Sequence, residues 1–195
     1  MKTKLFSSVN VFLIGITVTM IFLSSCATGS AVDRMYAKMF KVKLVNKVMD
    51  RSIPSEEHAR LFLYGGVTLI HRFDGSTSLI STAKQGETLL ISPGTHNFYV
   101  MSKEVYGGPG RLVSTPHPGV QMFYDFLPGQ LYYISGVIQG STINYFIHSQ
   151  EEMIADLDKT INDPLNDRVL NSSISLKNAL VKFEADIEAG IRKMR

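Results

Sequence analysis

Leu89-Leu90-Ile91-Ser92-Pro93-Gly94-Thr95-His96-Asn97-Phe98-Tyr99-Val100 decides the fold class. Two runs of β-branched, aliphatic and aromatic residues flank a Pro-Gly pair. Proline presets the first angle of a turn, and glycine takes the positive φ of the next position. The stretch therefore reads as strand, turn, strand. The same device returns in Phe123-Tyr124-Asp125-Phe126-Leu127-Pro128-Gly129-Gln130-Leu131-Tyr132-Tyr133-Ile134. Further short runs surround these two: Arg60 to Tyr64, Val67 to Phe73 before the Asp74-Gly75 turn signal, a weaker Thr77 to Thr82, and Ser141 to His148. Short strands separated by Gly-Gly, Asp-Gly and Pro-Gly predict antiparallel hairpins. The expected fold class is mainly β, a small antiparallel β-sandwich with C-terminal α-helices.

Outward from this body the patterns change. Residues 107–119 are dense in glycine and proline and read as a long loop, the usual place for binding function on a β scaffold. Beyond His148 the periodicity becomes helical. Ser149 and Glu152 match a capping box, and Met153, Ile154, Leu157 and Ile161 share one face. A second helix is expected from about Ser175 to Met194, where Leu176, Leu180, Phe183, Ile187, Ile191 and Met194 form an apolar stripe. That stripe either packs on the sandwich or offers Leu180, Phe183 and Ile187 to a partner helix. On the other side of the body, Ile53-Pro54-Ser55-Glu56-Glu57 punctuates the chain. Between residues 34 and 51 Arg34, Lys38, Lys41, Lys43, Lys47 and Arg51 face one acid, Asp50. Met35, Met39, Val42 and Met49 fit a helix, while Phe40, Val42 and Leu44 alternate with lysines as in a strand. Periodicity leaves both open. The charge run reads first as a solvated face, with contact to anionic head groups as the alternative. Residues 27–33 read as a short flexible tether.

The catalytic inventory is thin. His58, His71, His96, His117 and His148 form no i, i+2 or i, i+4 metal pair. There is no nucleophile elbow, and Gly107-Gly108-Pro109-Gly110 lacks the Lys-Ser/Thr of a phosphate loop. No catalytic residue, cofactor or metal is expected. A site assembled from His71, His96 or His148 with Asp74 or Asp125 is the enzyme alternative, a hydrolase or metal-dependent enzyme. Aromatics gather in the late strands. Strand alternation turns one of each adjacent pair outward unless that face is covered. Tyr124, Tyr133 and Tyr145 are thus candidate contacts for a glycan or protein partner, with cover by the C-terminal helix as the plainer reading.

The N-terminus carries a different kind of signal. Lys2 and Lys4 precede an apolar run from Val9 to Leu23, then Ser24, Ser25 and Cys26, the one cysteine in 195 residues. The run is short for a membrane-spanning helix, which needs about 20 apolar residues. It has the layout of a secretory signal, and Leu23-Ser24-Ser25-Cys26 resembles the lipobox of bacterial lipoprotein precursors. That resemblance implies cleavage before Cys26, lipid attachment to it, and a place in the bacterial cell envelope. Ala27 favours the outer membrane by the sorting rule of enterobacterial lipoproteins. Lys2 and Lys4 are two of the chain's 20 basic residues; without them 18 face 17 acids, which gives no support for nucleic-acid binding.

A second resemblance covers roughly residues 58–138. Ala59 to Tyr64, Phe73-Asp74-Gly75, Ile91-Ser92-Pro93-Gly94-Thr95-His96 and Leu127-Pro128-Gly129-Gln130-Leu131-Tyr132-Tyr133-Ile134 look like envelope β-sandwich modules of the PEGA type and a related family of envelope lipoproteins. Those motifs are mostly turn chemistry and imply a fold without implying catalysis. The organisation expected is therefore a signal at 1–25, a lipidated N-terminus, tether and basic segment at 26–57, a β-sandwich at 58–148 and a helical region at 149–195. The expected function is that of a lipid-anchored, non-catalytic binding or scaffolding module, with docking in an envelope complex through the last helix as a further alternative.

Overall fold

The computed structural model describes residues 29–64, 69–75, 83–108, 111–116, 119–139, 142–163 and 169–194. Cys26 and its signal, the expected strand Thr77 to Thr82, and His117 lie outside the described residues. The chain runs α1 (Gly29–Met39), β1 (Leu44–Val48), β2 (Ala59–Leu63), β3 (Leu69–His71), β4 (Ala83–Lys84), β5 (Thr88–Ile91), β6 (Gly94–Met101), β7 (Lys103–Gly108), β8 (Arg111–Pro116), β9 (Val120–Phe126), β10 (Leu131–Gln139), β11 (Thr142–Ser149), α2 (Gln150–Ile161) and α3 (Leu170–Arg192).

Among the described residues three sheets form, a five-stranded one in the order β1-β5-β2-β10-β11, a four-stranded one in the order β4-β3-β6-β9, and the ribbon β7-β8. The two larger sheets face each other, and the helices cover the far side of the first. The fold is thus mixed, with three layers, rather than mainly β. Nor is it wholly antiparallel: β1 runs parallel to β5, and β2 runs parallel to β10. The four-stranded sheet is antiparallel throughout.

Period-2 alternation sorts the central strands between two cores. Phe62, Leu90, Leu131 and Tyr133 point to the helices, where they meet Leu180, Phe183, Ile187, Tyr36 and Phe40. Their neighbours Leu61, Leu63, Leu89, Ile91, Tyr132 and Ile134 point to the other sheet, where Ile70, Phe98, Val100 and Phe126 wait. This explains why β2 is buried along its whole length. A strand covered on both faces reads as a continuous apolar run, without alternation.

Both Pro-Gly pairs turn the chain between sheets. β5 and β6 belong to different sheets, as do β9 and β10, so neither pair closes the hairpin that the sequence predicts. Gly94 and Gly129 take positive φ (116° and 66°), as these corners require. Burial decides the outcome: each flanking strand can cover its apolar face only against the opposite sheet.

Residues 107–119 also depart from expectation. Most of the expected loop belongs to an antiparallel ribbon in which Tyr106 pairs with Val113 and Gly108 with Arg111. Residues such as Val, Tyr and Leu on both sides of the glycines supply strand propensity that Gly and Pro counts conceal. At the N-terminus neither periodicity is realised whole: Met35 and Met39 lie in α1, but of the alternating Phe40, Val42 and Leu44 only Leu44 belongs to a strand, β1. The expected tether is helical from Gly29, because Val32 and Met35 pack against the helix–sheet core. The capping box holds: Ser149 Oγ accepts from the Glu152 N–H at 3.2 Å, and Ser149 N–H donates to Glu152 Oε2 at 2.8 Å.

Candidate functional site

A cleft of about 440 Å³ lies between α1 and α3. Tyr36, Phe40 and Phe183 form its aromatic floor, and Asp33, Lys182 and Asp186 stand on its polar walls. Helix spacing builds it: Phe40, just past the end of α1, follows Tyr36 by one turn, its N–H donating to the Tyr36 carbonyl at 2.9 Å, and Phe183 meets Phe40 with ring centroids 5.4 Å apart. Lys182 Nζ pairs with Asp186 Oδ2 at 2.7 Å along α3. Burial pushes the Tyr36 phenol up to about 12, so it stays a neutral hydroxyl at physiological pH. The cleft offers aromatic surface with carboxylates and an ammonium around it.

A buried polar chain lies nearby, between the first sheet and the helices. The Tyr133 hydroxyl donates to Gln150 Oε1 at 2.5 Å, and Gln150 Nε2 donates to Glu184 Oε2. Arg60 is also buried on this side, with Glu188 3.8 Å away. Burial disfavours its charge, and Glu188 and Glu184 offset that. Burial likewise raises the Tyr133 phenol far above its ordinary value. Tyr133, Gln150 and Glu184 satisfy one another across the layer boundary and help to seat α3 on the sheet, while Arg60 Nε is buried without a hydrogen-bond partner.

The residues singled out by sequence fall mostly inside. Leu180, Phe183 and Ile187 are buried in the helix–sheet core, so the chain's own sheet occupies the face read as an alternative docking surface. Tyr133 is fully buried under the same helix. Tyr124 and Tyr145 are half-buried against the core between the sheets. Tyr124 sits edge-on to Tyr132 at 5.4 Å, and the Tyr145 hydroxyl donates to Ser102 Oγ at 2.9 Å. Large apolar residues that do reach solvent include Phe123, 66% exposed, Leu127, 56%, and Val181, 50%. Alternation on the edge strand β9 carried the signal for Phe123, since its neighbours Met122 and Tyr124 turn to the core.

The histidines are dispersed. His96 Nδ1 lies 2.5 Å from Asp74 Oδ2, and its Nε2 lies 2.7 Å from the Ser92 carbonyl oxygen. Asp74 Oδ1 accepts the Asn97 N–H at 3.0 Å. The Asp-Gly turn and the Pro-Gly-Thr-His corner therefore lock together, and neither nitrogen of this ring faces an open site. His58 Nδ1 lies 3.0 Å from the Pro54 carbonyl oxygen. His71 lies beside Tyr99 on the outer face of the second sheet, the rings tilted by 37°, and Arg72 also lies over the Tyr99 ring. Asp125 accepts from the Thr95 hydroxyl at 3.3 Å. Among the described residues no three His, Cys, Asp or Glu side chains gather as a metal site, and no helix is long and apolar enough to cross a membrane. Comparison with family models, curated proteins and solved structures finds no match.

Proposed function

We propose that this chain is a lipid-anchored lipoprotein of the bacterial envelope whose body is a non-catalytic binding module held close to the membrane. One observation carries the reading. Helix α1 begins at Gly29, three residues after Cys26, and its Tyr36, with Phe40 just after it, belongs to the core. Three residues span at most about 10 Å. A lipid on Cys26 would therefore hold the folded body directly, with almost no slack. The cleft beside α1 is the natural contact for an envelope protein partner, since its own anchoring helix forms one wall.

Two experiments test this. Mass spectrometry of the N-terminal peptide from the membrane fraction should find a chain that starts at a lipid-bearing Cys26. An unmodified peptide running through residues 24–28 would overturn the anchor. A photocrosslinker at Asn178, which lines the cleft, should capture a discrete envelope protein, and one at Lys159 on α2 should not. Equal capture from both positions defeats the cleft assignment. The enzyme alternative rests on the contact between His96 and Asp74. Its geometry favours a clamp, because the second ring nitrogen is already engaged by Ser92.

A further inference from the structure

We infer that the free edge of β9 pairs antiparallel with the same edge of a second copy of this chain, so that the four-stranded sheet continues across a two-fold axis at Phe123. β9 ends its sheet, with β6 on one side and no strand on the other among the described residues. The backbone shows which of its groups are left over. The Asn97 N–H points away from β9, to Asp74 Oδ1 at 3.0 Å. Asn97 lies opposite Phe123. Theirs is thus a pair whose members do not bond each other, and Phe123 turns its own N–H and C=O to the open edge. By the two-residue period Gln121 and Asp125 do the same. The strand carries none of the usual guards against pairing. Val120–Phe126 holds no lysine or proline, and its seven pairs with β6 run without a bulge. Val120, Phe123 and, one residue past its end, Leu127 are large apolar side chains that reach solvent here.

A second copy is the occupant because the edge complements itself. With Phe123 opposite its own counterpart, Gln121 of each copy falls opposite Asp125 of the other. All three outward-facing residues then exchange main-chain hydrogen bonds, about six in all. Directly opposed side chains share a face and touch. The two Phe123 rings form an aromatic pair. Gln121 Oε1 accepts the Tyr99 hydroxyl at 3.4 Å, which leaves its amide N–H groups to donate. Asp125 Oδ1 accepts the Thr95 hydroxyl at 3.3 Å, which leaves Oδ2 to accept. Amide and carboxylate therefore match twice, once on each side of the axis. The two Asp125 residues stand about 14 Å apart, beyond a Debye length at physiological salt, so their like charges do not oppose the pairing. The contact uses the same edge of both copies and closes at two. The opposite edge of the sheet is β4, two residues long and carrying Lys84, a poor template for further growth.

The test is oxidative cross-linking of the full chain in the cells that express it. Cys26 is its one native cysteine, so the parent supplies the background. Opposed residues of a bonded pair have Cα atoms about 5.5 Å apart, within disulfide reach. Phe123→Cys should therefore run as a covalent dimer of this chain on a non-reducing gel. Gln121→Cys alone should not, because its two copies lie about 14 Å apart, yet it should be linked when co-expressed with Asp125→Cys. In light scattering of the chain purified in detergent, the parent should be a dimer. Phe123→Lys sets two ammonium groups against each other and should give a monomer, while Val181→Lys on α3 should stay dimeric. Unchanged circular dichroism confirms that each variant is folded. Equal linking of Phe123→Cys and Gln121→Cys, no link from either, or a link to a protein of another mass overturns the second copy as the occupant. No readout here depends on a lipid at Cys26 or on the cleft, so this pairing and the proposed function fail independently.

Discussion

Asp74 is the residue whose setting says most about how the sandwich closes. Its φ of 48° lies in the left-handed region, which few residues other than Gly, Asn and Asp adopt readily. The chain tolerates this because the carboxylate bridges the Asn97 N–H and the His96 ring. Asp74→Asn keeps an acceptor and a residue suited to that conformation. Asp74→Ala loses both. Chemical denaturation should show a loss of about 1–3 kcal/mol for Asp74→Ala and a clearly smaller loss for Asp74→Asn. Equal losses would mean that the bridge contributes little. His148 provides a second prediction. Burial lowers its pKa below the ordinary 6.5, against the opposing pull of Glu152 and Asp156. The unfolded chain then binds the proton more readily than the folded one. Stability should be full above about pH 6.5 and fall as the pH drops from there through the lowered folded value. His71 shifts the same way, through burial and Arg72. A His148→Gln variant should show a shallower fall between pH 7 and pH 5 in thermal melts than the parent, and an identical slope would discount this residue.

At the scale of elements, α3 gives the sharpest contrast. Its inner face carries Leu176, Leu180, Phe183, Ile187 and Ile191, all buried. Its outer face leaves Ile174 and Val181 in solvent. Phe183→Ala should cost about 3–5 kcal/mol, because the ring packs on Phe62 and Phe40. Val181→Ala should stay within about 0.5 kcal/mol. Denaturant midpoints of the two variants check this; similar midpoints would mean that α3 is not seated as described. The stripe on α3 was legible because 3.6-residue periodicity survives in any context. The capping box at Ser149 was legible for the same reason, being wholly local. The Pro-Gly corners show the opposite case. Residues 92–95 specify a turn, yet nothing local in them says whether the next strand pairs with its predecessor or crosses to the other sheet. That depends on Ile91 and Phe98 finding each other across the sandwich, a tertiary outcome. The parallel pairs β1–β5 and β2–β10 were hidden for the same reason. Sequence alone could not sort the aromatics, because Tyr124, Tyr133 and Tyr145 carry the same composition signal as Phe123, and only the cover over each face tells them apart.

For the whole molecule, the decisive question is whether the N-terminal helix is a handle or a part of the body. A handle could be removed without harm. Here Tyr36 and Phe40 reach into the cluster formed by Phe62, Tyr133 and Phe183, with Phe40 stacked on Tyr64 at 5.8 Å. Removing α1 would uncover one side of that cluster and delete the wall of the cleft. A chain starting at Gly29 should melt cooperatively, with the same midpoint as one starting at Cys26. A chain starting at Lys41 loses two buried aromatic side chains, each worth about 3–5 kcal/mol by truncation. That is comparable with the whole stability of an ordinary domain, about 5–15 kcal/mol. The shorter chain should therefore show no cooperative transition, or aggregate. Matching melts for the two chains would make α1 a dispensable spacer. On the function proposed above, the cleft would then lose the rigid link to a lipid on Cys26 that gives it its setting.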